Sequence, residues 1–381
     1  MTSRRFFIGG MAAAGASAAP RDRLSPNDTI QIGLIGAGSR GRYLLGELAK
    51  CTAENAKVVA VCDVHRPTAE TMVPGAIKRA TDYRELLAMQ ELDAVIISAP
   101  DFTHSTILTD AVRAGKDAYS EKPFGIDMSE ARRAFLTVKQ SDRVVQIGTQ
   151  RRSEPGLIAA AKLIREGAIG KVTRVDMEVN FYQARWRRDH SKIRPEDVDW
   201  SSYKMGRFER PFDARRYKEW QLFRESSNGI AGLWMCHYID LVPWFLDVPY
   251  PKSVAAQGGV FLWKDGRETE DVFQALVHYP NDCLARFAMS LTNESGTRNM
   301  WYGDKGTLDG DKLVIQPGDK PVTPEPVESH MANFLRCVRS RQTPRASVEA
   351  GFRHAVAGIM AAESLHSGRV VRFDAERLEL A

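Results

Sequence analysis

The 381-residue sequence predicts an α/β protein in two parts: a doubly wound parallel sheet, then an α+β domain built on a large open, mostly antiparallel sheet. Three observations carry this. Short apolar strands alternate with helical patterns from residue 30 to residue 148, strict period-two alternation takes over beyond residue 170, and 43% apolar residues suffice for two cores. The predicted boundaries are 1–24 for a leader and linker, 25–148 for the parallel sheet, 149–345 for the second domain, and 346–381 for a helix and strand that return to the first.

The first element is IQIGLIGAGSRGRYLLGELAK. Ile30, Ile32, Leu34 and Ile35 make a strand, and Tyr43, Leu44, Leu45 and Leu48 recur at helical spacing. Between them lies Gly36-Ala37-Gly38-Ser39-Arg40-Gly41. The first glycine permits a tight turn, the second lets backbone approach a pyrophosphate, and the third lets helix and strand pack, with the helix N-terminus facing the phosphates. A lone pattern of this kind is weak, but KVVAVCD follows as a second strand and ends in Asp63. A carboxylate there accepts hydrogen bonds from ribose hydroxyls and repels a 2′-phosphate, so the expectation is a Rossmann-type domain for NAD, with NADP the alternative. Further alternation follows through DAVIISAP, a helix over 103–114, DAYSEKP, a helix over 128–139, and RVVQIG. Ligands of such sheets sit at the carboxyl ends of the strands, which places Pro100, His104, Glu121 and Lys122 at the cleft.

A helix over 155–166 then leads into KVTRVDMEVNF, where Val175, Met177, Val179 and Phe181 alternate with polar residues. That is a long strand with one buried face, and strands over 252–262, 271–279 and 283–291 continue the sheet. Helices over 328–340 and 347–366 close the chain.

The charge of +5 is too mild for a nucleic-acid binder, and Arg4 and Arg5 supply two of those charges. Cys51, Cys62, Cys236, Cys283 and Cys337 are scattered without metal-ligand spacing, so buried free thiols and no metal site are expected. The start, Ser3-Arg4-Arg5-Phe6-Phe7-Ile8, followed by a short apolar core and Ala16-Ser17-Ala18, resembles a twin-arginine signal. It predicts export in the folded state to the periplasm or beyond by the twin-arginine machinery. The apolar core is too short for stable membrane insertion.

GLIGAGSRGR, SAPDFTHS, AGKDAYSEKPF, GTQRR, GAIGKV, GIAGLWMCHYIDLVPWFL and YGDKGTL, in this order, resemble the glucose-fructose oxidoreductase / inositol dehydrogenase (Gfo/Idh/MocA) family, and HMANFLRCVRSRQTP resembles its often exported branch. The resemblance implies hydride transfer between a nicotinamide and a hydroxyl-bearing carbon of a sugar, sugar derivative or polyol, and a homo-oligomer. It assigns catalysis to Lys122, which would hold and polarise the reacting hydroxyl, and to His237 as base or acid. From the residues alone, His237 on an apolar helix is as readily a core residue. The cofactor set is Gly36, Gly38, Ser39, Arg40, Gly41, Asp63, Pro100, His104, Glu121 and Lys122; the substrate set is Gln150, Arg151, Tyr182, Trp186, Arg188 and Asp240. One departure stands out: family members commonly have an aspartate four residues before the histidine, where this chain has Leu233. Two alternatives stay open, a redox-neutral NAD-dependent glycosidase or lyase working by transient oxidation and elimination, and a non-catalytic sugar- or cofactor-binding protein.

Overall fold

The computed structural model describes residues 28–73 and 78–381; the leader and its twin-arginine pattern lie outside the described residues. Strands β1 (Ile30–Ile35), β2 (Ala56–Cys62), β3 (Lys78–Ala80), β4 (Ala94–Ile97), β5 (Asp117–Ser120) and β6 (Val145–Ile147) form a parallel sheet in the order β3-β2-β1-β4-β5-β6. Helices α1 (Ser39–Ala49), α2 (Arg66–Met72), α3 (Tyr83–Leu87), α4 (His104–Arg113) and α5 (Met128–Lys139) connect them. Asp82 and Asp127 cap α3 and α5 by accepting from the backbone N–H groups of Arg84 and Glu130. The order reverses between β1 and β4, so the crevice at their carboxyl ends is the place for a ligand.

Helix α6 (Pro155–Arg165) leads into β7 (Val172–Asn180), and residues 181–228 then leave the second sheet on a long excursion that holds the short helices α7 (Trp200–Lys204) and α8 (Ala214–Lys218). A helical stretch follows, π-helical over Ala231–Met235 and α-helical over α9 (Cys236–Ile239) and α10 (Leu241–Leu246). Strands β8 (Ser253–Gly259), β9 (Val272–Tyr279), β10 (Cys283–Ser290), β11 (Thr297–Gly303), β12 (Thr307–Asp309), β13 (Val314–Gln316) and β14 (Lys320–Pro321) build the second sheet, and α11 (His330–Ser340), α12 (Val348–Ser367), β15 (Val371–Asp374) and β16 (Glu379–Leu380) end the chain. The ten strands run β14-β13-β12-β11-β7-β10-β9-β8-β15-β16, antiparallel except for β7 beside β10.

The strands of the first sheet read as continuous apolar runs because both faces are covered. Ile30, Ile32 and Leu34 pack with Leu44 and Leu48 of α1 and with Phe334 and Leu335 of α11, while Val95 and Ile97 face Ile107, Leu108 and Ala111 of α4. Helix α12 is the seam between the domains: Phe352 stacks on Phe135 of α5 at 4.5 Å, and Ser364 Oγ accepts from the Ala256 N–H of β8 at 2.9 Å. The C-terminal strand, expected to join the first domain, instead pairs with β8, because α12 delivers the chain along that strand and Val371 is buried opposite Val254.

A second strut crosses the seam. Arg152, just after β6, makes a bidentate pair with Asp240 between α9 and α10, with Nε to Oδ2 at 2.7 Å and Nη2 to Oδ1 at 2.9 Å. Asp240, expected at the substrate, is therefore structural: it is 0% exposed, and its other neighbour is His354 Nδ1 at 3.8 Å. Burial alone would raise its carboxyl, but Arg152 and His354 together outweigh burial and hold it at about 2 against an ordinary 3.8. Because the folded value is depressed, the associated stability, about 2 kcal/mol, is present above pH 3.8 and disappears as pH falls through about 2. Arg152→Ala strands a buried carboxylate and is expected to cost about 3–5 kcal/mol in urea unfolding at neutral pH. That deficit should shrink on acidification, since a protonated Asp240 no longer requires a partner; an unchanged deficit at low pH would contradict the assignment.

Candidate active site

The glycine turn divides its labour. Gly36 lies at φ 89°, where a Cβ would stand 2.5 Å from the Ala99 nitrogen, and a Cβ on Gly41 would stand 2.3 Å from the Gly36 oxygen. Backbone approach therefore demands both glycines. Ser98 Oγ closes the turn by donating to the Gly36 carbonyl at 2.7 Å. Gly38 is different: a Cβ there would meet nothing within 4 Å, and as the N-terminal cap of α1 it supplies no side-chain acceptor. The first N–H groups of α1 thus open on free space, the arrangement a pyrophosphate needs.

Asp63, at the end of β2, accepts from Ala37 N–H at 2.7 Å and His65 N–H at 2.9 Å. Burial pushes its carboxyl up, against the two N–H groups that favour the charge. A carboxylate has about four acceptor sites, so two remain for a ribose diol. A cleft of about 250 Å³ runs past Gly38, Ser39, Arg40, Asp63 and Pro100. Its donors, open turn and terminal carboxylate fit an adenine dinucleotide.

The surroundings of Lys122 and His237 are organised by the segment after β5. Glu121 is buried and receives Arg40 Nε at 2.8 Å, Gln150 Nε2 at 2.9 Å and the Tyr119 hydroxyl at 3.3 Å. Lys122, next in sequence, turns its Nζ to the Leu233 carbonyl at 3.0 Å in the π-helical turn. Such wide turns recur at functional sites, and here one presents a backbone acceptor where the side chain is apolar. His237 follows one turn later, half-buried, its ring 6.3 Å from Trp234. Burial, then the positive charges of Lys122 and Arg151, push the imidazole well below its ordinary 6.5, so it is neutral and able to accept a proton. Asp101, 3% exposed at the end of β4, receives Ser227 Oγ at 3.5 Å and lies 3.7 Å from where a Cβ on Gly232 would sit. Burial raises its carboxyl to about 7 although Lys122 faces it. The turn with Leu233 thus has an acid beside it, supplied from another strand.

Residues 30–149 match the profile of an oxidoreductase family with an NAD-binding Rossmann fold, and residues 204–309 match the GFO/IDH/MocA C-terminal domain, together more than half of the chain. The chain belongs to the Gfo/Idh/MocA family of oxidoreductases. Its N-terminal part is that family's NAD-binding domain. The inositol 2-dehydrogenases of Rhizobium meliloti (strain 1021) and Agrobacterium fabrum (strain C58 / ATCC 33970) are 34% and 33% identical over 151 and 141 residues, 39% and 36% of this chain. The chain spans 44% and 41% of those curated relatives. Among solved structures, the WlbA dehydrogenase of Bordetella pertussis, in complex with NADH and UDP-GlcNAcA, superposes with a TM-score of 0.72 at 19% identity, covering 91% of this chain and 99% of that one. The aldose-aldose oxidoreductase of Caulobacter crescentus gives 0.71 at 17% identity, with 91% and 100% covered. These likenesses are likenesses of fold.

Within this Gfo/Idh/MocA framework the expected residues sort unevenly. Gly36, Gly38, Ser39, Arg40, Asp63 and Pro100 line the cofactor cleft, with Gly41 packed behind the turn. His104, expected at the cofactor, is 1% exposed, with Nδ1 2.8 Å from the Pro123 carbonyl and Nε2 2.8 Å from the Ala99 carbonyl. It ties together the segments that leave β4 and β5. Glu121 serves the cleft through Arg40, and Gln150 is bound to Glu121 and to the Tyr119 hydroxyl at 2.8 Å, so both act as tethers. Trp186, expected to stack on a sugar, is buried, whereas Trp234 stands beside His237 with Arg185 over its ring at 5.0 Å. Arg188 lines the cofactor cleft, Arg151 lies over the Tyr238 ring at 4.6 Å, and Tyr182 is 57% exposed against Trp263. Sequence reasoning missed the Leu233 carbonyl, Asp101 and Trp234.

Two glycine substitutions separate folding from binding. Gly36→Ala is expected to cost about 2 kcal/mol or more in unfolding experiments. Gly38→Val should keep the wild-type unfolding midpoint and weaken NAD binding about 100-fold, near 3 kcal/mol, by calorimetry. Undiminished NAD affinity in Gly38→Val would move the pyrophosphate elsewhere.

Proposed function

We propose that this protein is an exported NAD-dependent oxidoreductase that moves a hydride between a tightly held nicotinamide and a hydroxyl-bearing carbon of a sugar, sugar derivative or polyol. The observation that carries the reading is the Lys122 amine bound to the Leu233 carbonyl one turn before a neutral His237, on the same chain that forms a cleft lined by Gly38 and Asp63. Gly38, Ser39 and Asp63 would hold the nucleotide, which when bound supplies the hydride acceptor or donor. An ammonium has three donors; one of those on Lys122 is spent on the Leu233 carbonyl, leaving two to hold and polarise the reacting hydroxyl. His237 takes the hydroxyl proton as the hydride departs and returns it in the reverse direction. Trp234, flanked by Phe181 at 5.2 Å and by Arg185, offers a flat face for a sugar ring. The activities for which the relatives are named, inositol 2-dehydrogenase and aldose-aldose oxidoreductase, support the substrate class.

Export rests on the Arg4-Arg5 leader. A folded protein that leaves the cytoplasm leaves the free nicotinamide pool behind, so its nucleotide must travel with it and be restored in place by a second sugar. Exposed Leu276 and Leu284, set beside the Arg286–Glu178 pair on the open sheet face, offer a mixed surface for a homo-oligomer. The missing carboxylate at Leu233 favours, as a second reading, transient oxidation followed by elimination of a glycosidic substituent.

The protein purified from the periplasm should contain nicotinamide nucleotide, and a responsive sugar or polyol should change the near-ultraviolet absorbance of that nucleotide without any being added. Lys122→Ala is expected to slow this change about 1000-fold and His237→Asn about 100-fold, with nucleotide content retained. Release of the phenol from an aryl glycoside, again without added nucleotide, would select the second reading. A protein that binds sugar but carries and takes up no nucleotide would refute both. Arg4→Lys with Arg5→Lys should hold the protein in the cytoplasm.

A further inference from the structure

The cofactor cleft has a second wall that no glycine motif announces. Its adenosine half, beyond Asp63 toward β3, is lined by Thr81 and Thr103 from the first domain and by Tyr203, Met205, Tyr217 and Trp220 from the excursion of residues 181–228. An adenine placed at the end of β2 is thus met on one side by the parallel sheet and on the other by aromatic rings of the second domain.

The excursion is pinned where it crosses. Asp199 N–H donates to the Val64 carbonyl at 2.8 Å, one residue beyond Asp63, and Thr81 Oγ1 donates to Asp199 Oδ2 at 3.3 Å. The same aspartate caps α7, accepting from Ser202 N–H at 3.0 Å and Ser202 Oγ at 2.8 Å, so one residue both orders the helix and docks it. Beneath it, Phe102, which follows β4, is buried against Tyr203 at 5.5 Å and Phe208 at 6.0 Å, and Trp200 stacks on Tyr203 at 4.8 Å. Tyr217 lies 5.3 Å from Tyr203 and 6.2 Å from His65. Farther along, Arg207 pairs with Glu130 of α5 at 2.9 Å and Asn228 Nδ2 donates to the Ile126 carbonyl at 2.9 Å. Opening the adenosine half breaks these bonds and exposes Phe102 to water.

We propose that residues 194–221 are a latch over the adenosine half of the nucleotide, with Tyr203 and Tyr217 as its contact surface and Asp199 as its pin, so that exchange of the cofactor requires the second domain to lift from the first. The proposal rests on the NAD-dependent reading above and adds to it the residues that keep the nucleotide resident. It predicts cofactor exchange that is slow compared with turnover.

The test is isotope exchange. The full-length protein, loaded with unlabelled NAD, is mixed with excess 13C-labelled NAD, and the bound fraction is followed by native mass spectrometry. Wild type should hold its nucleotide through many turnovers, whereas Asp199→Ala and Tyr203→Ala should exchange at least tenfold faster. Should a variant fail to fold, amide hydrogen exchange on wild type reads the same event: NAD should slow exchange over residues 199–205. Wild-type exchange complete at first sampling, variants no faster than wild type, or no protection of residues 199–205 would each overturn the latch. A protein that takes up no NAD overturns the latch and the reading beneath it together; NAD that binds but exchanges freely overturns the latch alone.

Discussion

Four consecutive residues leaving β5 each hold a different part of the molecule. Glu121 anchors Arg40 of the glycine-turn helix, Lys122 reaches the Leu233 carbonyl of the second domain, the Pro123 carbonyl meets His104, and the Phe124 N–H meets His354 Nε2 of the seam helix at 3.3 Å. Turn, lysine amine, second strand end and domain seam are therefore tied to one segment. The proposed hydride transfer would depend on that segment, since a displacement of about an ångström in a reacting group can cost about 100-fold in rate.

Charge is distributed to match. Arg40 is neutralised by Glu121, whereas burial, then the positive charges of Lys122 and Arg151, keep His237 unprotonated. A neutral imidazole and a cationic amine are the pair that the proposed removal of a hydroxyl proton requires. Asp101, buried and facing Lys122, comes from the first domain rather than from the histidine's own helix. The fold has kept a carboxyl near the lysine while leaving position 233 apolar. The Arg152–Asp240 pair performs the separate task of fixing the histidine's helix to the end of β6.

How much of this was legible in the sequence followed from how local each feature is. Gly36, Gly38, Gly41 and Asp63 act through backbone geometry within one βαβ unit, and spacing alone located them. Lys122 and His237 came from the family resemblance, and the fold brings their elements together. Trp186, His104 and Asp240 were misplaced because burial is set by distant partners: a tryptophan in a basic loop reads as a rim residue until the excursion folds over it. The latch residues 194–221 carry a high aromatic density but neither period two nor period 3.6, so the pattern gave no element to place them on. The short strands β12 and β13 went unseen for the same reason, and the parallel contact of β7 with β10 depends on a crossover that pattern cannot supply.

The central claim is that a hydride passes from a substrate carbon to a nicotinamide resident in this cleft. The most direct measurement mixes the nucleotide-loaded protein with carbon-deuterated glucose or myo-inositol and weighs the released nucleotide by mass spectrometry. The account predicts one deuterium on the nicotinamide ring, transferred from the carbon that bears the oxidised hydroxyl, and none in Lys122→Ala on the same timescale. A sugar oxidised with its deuterium found in water, and the nucleotide unlabelled, would contradict it.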